Sequence, residues 1–248
     1  MSALVIIPAR MASTRLPGKP LADIAGKPMI VRVCERAAAA DIGPVIVAAA
    51  EVEIAEAVHK AGFEAVLTDP ALPSGSDRVW AAAEAFDESG AYDTLINLQG
   101  DMPTLDPEAL KSVAQPLSDS PECDIATLAS KITHEDEKTD PNVVKAIISL
   151  EEGAAHGRAL YFTRATAPTG DGPLWHHVGV YAYRRDALKR FVAAPPSGLE
   201  KRERLEQLRA LELGMRIDCA VLDGEPPNGV DTPKDLEQAR AWYAREGY

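Results

Sequence analysis

Cysteine is scarce in this 248-residue chain, and the residues present, Cys34, Cys123 and Cys219, form no C-x-x-C pair. The commonest spacing of structural zinc ligands is therefore missing, and we expect buried thiols in a reducing compartment. Long apolar runs are missing as well. None approaches the roughly 18 residues of a membrane span, and the run 3–7 is shorter than the roughly 7–15 residues of a signal-peptide core. We therefore expect a soluble, cytoplasmic protein with no membrane partner.

Basic residues are in deficit, with 26 Lys and Arg against 38 Asp and Glu and a formal net charge of -12. The long-range field of such a chain repels phosphates, which excludes non-specific binding of nucleic acid or of an anionic membrane. An anionic ligand must therefore be bound by a local group of cations. Because 46% of the residues are hydrophobic, the chain has enough apolar material for the core of one large domain.

Short apolar runs alternate with helical patterns in the first half of the chain. Buried strands are predicted at 3–7, 44–50, 63–67 and 94–98, and helices at 27–40 and 51–62. Pro28 stands at a plausible first helical position, and Gly62 is typical of a helix end. This order predicts an α/β fold of three layers with a mostly parallel sheet.

The second half is less regular. Further strands are predicted at 123–130, 142–150, 176–184 and 215–222, one long helix at 198–214, and a terminal helix that starts with a capping-box-like pattern at Thr232. We expect antiparallel strands to be inserted into the parallel sheet. The prediction is one domain over 1–248 with an embedded subdomain at approximately 123–215.

A basic loop, PARMASTRLPGKPL at 8–21, follows the first predicted strand. Ligands of open α/β sheets bind at the carboxyl ends of the strands, where this loop begins. Its prolines prevent a continuous helix, Gly18 permits close approach, and Arg10, Arg15 and Lys19 suit a triphosphate. The loop matches neither the P-loop nor the G-x-G-x-x-G pattern. The alternative is a solvated loop whose cations merely pair with acidic residues.

Two aspartates are candidate ligands of magnesium (Mg²⁺). Asp101 follows the strand predicted at 94–98, and Asp231 precedes the terminal helix. Magnesium favours oxygen ligands and bridges carboxylates to phosphates. The alternative for Asp231 is a helix cap, but Thr232 can supply that cap instead.

Eight motifs occur in an order that closely resembles the 3-deoxy-manno-octulosonate (Kdo) cytidylyltransferases. They are IPARMASTRLPGKPL, SGSDR, NLQGDMP, DPNVVK, YFTRA, HVGVYAYR, LEQLR and GVDTPKDL, spread between residue 3 and about residue 240. The resemblance implies a nucleotidyltransferase of the nucleotide-diphospho-sugar transferase fold, a homodimer, and the reaction of CTP with Kdo to CMP-Kdo and pyrophosphate for lipopolysaccharide biosynthesis. It also implies magnesium as cofactor and a role of the embedded subdomain in sugar binding and dimerisation.

The resemblance also implies the site residues. The CTP-binding set is Ala9, Arg10, Ser13, Arg15, Lys19, Ser74, Gly75, Arg78 and Gln99; the catalytic set is Lys19, Arg15, Asp101 and Asp231, of which the aspartates hold the metal; and the sugar-binding set is Arg164, His177, Tyr181, Glu206 and Gln207. On a strand His177 and Tyr181 share one face, which agrees with this assignment. From the residues alone, His177 reads equally as a structural histidine, and Glu206 and Gln207 as a solvated helix face.

Several alternatives stay open at this level. The segment 167–176 is shorter than is usual in the family, so the sugar is Kdo, its 8-amino analogue or a sialic acid. An inactive CTP-binding regulator is a further alternative. The sequence identifies neither a general base nor the number of magnesium ions.

Overall fold

The structure, a computed structural model, describes residues 2–13, 15–224, 226–227 and 229–247. Its elements in chain order are β1 (Ala3–Ala9), β2 (Asp23–Ile24), β3 (Lys27–Pro28), α1 (Met29–Ala39), β4 (Val45–Ala49), α2 (Val52–Lys60), β5 (Glu64–Leu67), α3 (Gly75–Phe86), β6 (Thr94–Asn97), α4 (Pro107–Asp119), β7 (Ile125–Lys131), α5 (Glu135–Thr139), β8 (Lys145–Ser149), β9 (His156–Thr163), β10 (Trp175–Arg184), α6 (Arg185–Ala193), α7 (Gly198–Glu203), α8 (Gln207–Glu212), β11 (Ile217–Leu222) and α9 (Pro233–Arg245). A short 3-10 turn at Lys19–Leu21 lies between β1 and β2. None of the helices described combines the length and the apolar character that crossing a bilayer would require.

The first of two units comprises Met1–Leu110 and Pro227–Tyr248. Its strands lie in the order β5-β4-β1-β6, and each neighbouring pair is parallel, as the strand and helix alternation predicts. β1 is central, and Leu4, Val5, Ile6 and Ile7 are fully buried. Burial of each such side chain contributes roughly 1.5–3 kcal/mol, so this run anchors the unit.

Parallel pairing brings the carboxyl ends of β1 and β6 to the same edge of this sheet. Ala3 of β1 lies opposite Thr94 of β6, and the register continues to Ile6 and Asn97. The basic loop leaves β1 at this edge, and the segment 98–101 leaves β6 beside it. The fold of the first unit thus gathers cations and carboxylates that are far apart in the sequence.

Local signals set the helix ends in this unit. α1 begins at Met29 with Pro28 as its N-cap residue, so Pro28 precedes the first helical position rather than occupying it. α2 ends at Lys60, and Gly62 follows with a φ of 85°, a left-handed conformation that favours glycine. At the start of α9, the Thr232 hydroxyl accepts from the Asp235 N–H and the Asp235 carboxylate accepts from the Thr232 N–H, which confirms the predicted capping box.

The second unit, Lys111–Pro226, contains a mixed sheet in the order β10-β7-β11-β9-β8. β7 and β11 are parallel, whereas β10 with β7, β9 with β11, and β8 with β9 are antiparallel. The predicted fold class, an α/β sheet with inserted antiparallel strands, is confirmed. The subdomain boundaries of about 123–215 and its two roles stay predictions.

The prediction of a single helix at 198–214 is wrong, because the structure has two short helices there. α7 ends at Glu203, and Arg204 takes a left-handed conformation with φ 57° and ψ 46°. The Glu203 carboxylate accepts from the Thr163 hydroxyl at 3.0 Å and from the Arg164 N–H at 3.2 Å, so it holds the chain where the first helix stops. The turn then lets Leu205 and Leu208 face the core, where both are buried.

Candidate functional site

A cavity of about 430 Å³ opens at the carboxyl edge of the sheet in the first unit. It is lined by Pro8, Ala9, Arg10, Ala12, Ser13, Arg15, Lys19, Pro20, Leu72, Ser74, Gly75, Arg78, Gln99, Gly100, Asp101 and Asp231. Every residue of the predicted CTP-binding and catalytic sets is in this lining, and the volume is in the range of small-molecule sites. Their roles remain predictions, but the structure brings the two sets into one pocket.

The basic loop enters the pocket through a turn that fixes Lys19. Gly18 is left-handed with φ 68°, and the 3-10 turn behind it places Pro20 in the core. The Lys19 side chain is consequently held at 16% exposure, whereas Arg15 is 64% exposed. A largely buried ammonium is suited to a fixed anionic ligand.

The Lys19 ammonium lies between the two predicted metal ligands. Its Nζ donates to Asp101 Oδ2 at 2.7 Å and to Asp231 Oδ1 at 3.0 Å, and Arg15 pairs with Asp231 Oδ2 at 2.9 Å. Burial works to lower the pKa of Lys19, but the Asp101 and Asp231 carboxylates outweigh it, so that this pKa is raised and the amine stays charged. The two carboxylates thus converge on one cation.

Backbone contacts hold the two aspartates in place. The Val230 N–H donates to the Asp101 carbonyl at 2.8 Å, which ties the segment before α9 to the segment after β6. The Asp231 carboxylate does not cap α9, because the Thr232 side chain does so, as predicted.

A close approach of β1 to the chain after β6 forms the floor of the pocket. A Cβ on Gly100 would lie 2.8 Å from the Pro8 carbonyl oxygen, closer than real contacts allow, so only glycine fits. Pro8 and Gly100 were not among the predicted site residues. The signal that could have found them is the glycine between Gln99 and Asp101, directly after a predicted strand.

The amino end of α3 forms another wall. Ser74 caps this helix by accepting from the Asp77 N–H, and Gly75 is its first residue, so helix N–H groups favour an anion here. Arg78 on the first turn is buried and donates to Thr68 Oγ1 at 2.6 Å and to the Asp69 carbonyl at 3.2 Å. Burial, and then the neighbouring Arg10, lower the pKa of Arg78 from its very high ordinary value.

The predicted sugar-binding residues all belong to the second unit. His177 and Tyr181 share one face of β10, as predicted, with ring centroids 5.6 Å apart, and the Gln207 amide nitrogen lies 3.5 Å from His177 Nδ1. Burial, and then the neighbouring His176, lower the pKa of His177 to about 3, so its ring is neutral at pH 7. Burial, followed by the nearby charges of Tyr183 and Glu206, raises the pKa of Tyr181 well above its ordinary value.

Arg164 and Glu206 have other contacts in this structure. The Arg164 guanidinium donates to the carbonyls of Glu203 and Pro141, each at 2.9 Å, and so ties two loops together. Glu206 Oε1 lies 3.7 Å from the Arg209 guanidinium. The structure therefore brings His177 into contact with both Tyr181 and Gln207, and Glu206 is close enough to raise the pKa of Tyr181.

Comparison with known proteins finds matches over most of this chain. Residues 4–217 match the cytidylyltransferase family. The 3-deoxy-manno-octulosonate cytidylyltransferase of Parvibaculum lavamentivorans is 64% identical over 242 residues, which are 98% of this chain and 93% of the relative. The protein with the same name from Paramagnetospirillum magneticum is 58% identical over 241 residues, 97% of each chain. A solved structure of CMP:2-keto-3-deoxy-manno-octonic acid synthetase in complex with CTP superposes with a TM-score of 0.90, at 38% identity, over 99% of this chain and 100% of the other.

Proposed function

This chain belongs to the 3-deoxy-manno-octulosonate cytidylyltransferase family, and from that premise we propose that it transfers CMP from CTP to the anomeric hydroxyl of Kdo and releases pyrophosphate. The observation that carries the proposal is the convergence of Arg10, Arg15 and Lys19 with Asp101 and Asp231 on one pocket. A cytidylyltransferase for 8-amino-Kdo or a sialic acid, and an inactive CTP-binding regulator, are not favoured, because the relatives are named for Kdo and for transfer.

The reaction needs an in-line approach of the sugar hydroxyl to the α-phosphorus and neutralisation of charge as pyrophosphate leaves. Lys19 and Arg15 would supply fixed positive charge to the phosphates, and Arg10 and the amino end of α3 would add donors. The turn at Gly18 and the cap at Ser74 would fix the backbone that carries Lys19 and the amino end of α3. The proposed catalytic contribution of the protein is therefore positioning and electrostatic stabilisation.

The donor set at Lys19 fits a magnesium ion. Asp101 and Asp231 already face one cation at 2.7 and 3.0 Å, and carboxylate oxygens are the ligands that magnesium takes alongside substrate phosphates and water. In the described part of the chain no cluster of three or more His, Cys, Asp and Glu side chains could complete a protein-only site. Asp101 and Asp231 would hold the ion, and its chemistry there is to polarise the phosphates and to neutralise their charge.

We propose Arg164, His177, Tyr181, Glu206 and Gln207 as the residues that recognise the acid sugar. The direct contact of His177 with Tyr181 and Gln207 supports this assignment for those three.

We also propose a homodimer, a cytoplasmic location and a place in lipopolysaccharide biosynthesis. The resemblance to the family is the basis for the dimer. Light scattering coupled to size exclusion tests the dimer, and a monomer at working concentration would contradict it.

A pyrophosphate-release assay tests the function. Each of the common nucleoside triphosphates is combined with Kdo, 8-amino-Kdo or sialic acid, with and without magnesium. We expect release with CTP and Kdo in the presence of magnesium, and the highest kcat/KM for that pair. CTP binding without release would show a regulator instead, and a higher kcat/KM for another sugar would correct the substrate.

A further inference from the structure

A bulge interrupts β10 within the segment that holds His177 and Tyr181. Val178 lies opposite Leu128 of β7, but the next paired residue, Tyr181, lies opposite Thr127. Gly179 and Val180 are consequently not paired with any residue of β7 in the strand register. Bulges leave backbone groups unpaired and redirect side chains, and they are common beside functional sites.

The hydroxyl of Thr127 fills this gap. Its Oγ1 lies 2.8 Å from the Val180 carbonyl oxygen, 3.2 Å from the Val178 carbonyl oxygen and 3.0 Å from His177 Nε2. The Thr127 side chain is fully buried, so water does not compete for these contacts. One side-chain hydroxyl thus contacts both the bulge and the histidine.

The partners of the Thr127 hydroxyl determine which of its contacts it donates and which it accepts. A hydroxyl has one proton and two lone pairs, whereas a carbonyl oxygen can only accept. Two oxygens 2.8 Å apart are favourable only with a proton between them, so Thr127 donates to the Val180 carbonyl. Its oxygen can then only accept from His177, and His177 Nε2 must carry the ring proton.

The other ring nitrogen is then a bare acceptor. His177 Nδ1 faces the Gln207 amide nitrogen at 3.5 Å, which is the outer limit of a hydrogen bond. An amide that donates its N–H to this nitrogen turns its own oxygen away from the ring. The Phe162 ring packs edge-on against His177, with centroids 4.9 Å apart, and restricts rotation of the imidazole.

We propose that Thr127 is a positioning residue for sugar recognition, because its hydroxyl, held by the bulge, keeps His177 as a neutral acceptor at Nδ1 and thereby orients the Gln207 amide. The inference rests on the proposed function. It predicts that His177 accepts a hydrogen bond from a sugar hydroxyl, which displaces the long contact with Gln207, and that His177 does not form an ion pair with the sugar carboxylate. Burial, followed by the charge of His176, also lowers the pKa of this ring, which agrees with a neutral histidine.

The test combines ¹⁵N NMR of the histidine rings with kinetics. His177→Asn assigns the ring among the five histidines. In the wild type we expect the proton on Nε2, and addition of Kdo should shift the Nδ1 resonance while Nε2 stays constant. Thr127→Val keeps the shape but removes the hydroxyl, so we expect loss of the pure Nε2–H form and a KM for Kdo raised by roughly three- to tenfold, as for one lost hydrogen bond, with an unchanged KM for CTP. Thr127→Ser keeps the hydroxyl and should restore both.

Several outcomes would overturn the inference. A wild-type ring with its proton on Nδ1, or a charged ring at pH 7, would do so even if Thr127→Val did not fold, and so would a spectrum that Kdo leaves unchanged. A Thr127→Val protein with a lower Tm but an unaltered ring spectrum would show a purely structural threonine. Failure of the proposed function is distinguishable, because the wild type would then release no pyrophosphate with Kdo whatever its ring spectrum shows.

Discussion

Replacement of Asp101 by asparagine should nearly abolish turnover and barely affect the fold. Asp101 Oδ2 accepts from Lys19 at 2.7 Å, and the same ammonium retains Asp231 at 3.0 Å. A hydrogen bond to a charged group contributes about 1.5–3 kcal/mol, and the amide oxygen of asparagine still accepts. We therefore expect a loss of about 1–2 kcal/mol in the free energy of unfolding. For a chain of this length that corresponds to a decrease in Tm of roughly 2–8 °C.

The effect on chemistry should be much larger. The substitution removes a full negative charge at the position where the proposed mechanism holds Lys19 and a magnesium ion against the phosphates. Loss of one preorganised electrostatic group typically reduces kcat by about 10²–10³. Pyrophosphate release at saturating CTP and Kdo measures kcat, and thermal unfolding of the same samples measures Tm.

Glu35→Gln is the matched control. Glu35 belongs to the same unit, its side chain is 29% exposed against 26% for Asp101, and it pairs with Arg32 at 3.0 Å and with Lys27. Glu35 is not among the described residues that line the pocket. We expect a similar change in Tm and an unchanged kcat. If Asp101→Asn kept kcat within about threefold of the wild type, against the loss expected for such a group, the assignment of Asp101 to the charge machinery would be refuted.

Three further predictions concern packing, thiols and pH. Gly100→Ala places a Cβ 2.8 Å from the Pro8 carbonyl oxygen and should lower the free energy of unfolding by about 1–3 kcal/mol, whereas Gly75→Ala, with 3.7 Å to Pro8 Cγ, should be tolerated; denaturant titration of both variants separates the cases. Burial raises the pKa of Cys34 and Cys123 to about 12 and also raises that of Cys219, so a thiol reagent at pH 8 should label none of them until the chain is unfolded. The pKa of His177 is about 3 in the folded protein and about 6.5 when unfolded, so below pH 6.5 the unfolded state binds one proton more than the folded state. As the pH is lowered from 6.5 towards 3, the free energy of unfolding should therefore fall by about 1.4 kcal/mol per pH unit. Unfolding titrations of the wild type and of His177→Gln should differ by this slope.

The strands of the first unit were predictable because each is a short apolar run between turn signals. β1, β4, β5 and β6 lie within three residues of their predicted ends, and their parallel pairing follows from the helices between them. β9 was not predicted, because its first residues, His156, Gly157 and Arg158, have little preference for a strand. It forms because β8 and β11 pair with it on either side, which is a tertiary effect.

The break between α7 and α8 could not be seen in the periodicity of the sequence. Leu199, Leu205 and Leu208 suit one continuous helix, and no proline interrupts them. The break depends on Glu203, whose carboxylate is bound by residues about 40 positions earlier in the chain. The same limit applies to Thr127, which in the sequence is one polar residue of a buried strand and becomes informative only through its contacts with β10.

The arrangement around Lys19 shows how an acidic chain can hold the proposed triphosphate site. Among the described residues that line the pocket, Arg10, Arg15, Lys19 and Arg78 face two carboxylates, Asp101 and Asp231, a local excess of positive charge in a chain of net charge -12. Charges further away than about 10 Å are screened at ordinary ionic strength, so the local groups dominate once a ligand is in contact. Asp101 and Asp231 lie 82 and 212 positions from Lys19 in the sequence, and only the fold reveals that they share its ammonium. The Lys19 ammonium therefore lies between the two carboxylates and reduces their mutual repulsion at the proposed metal site.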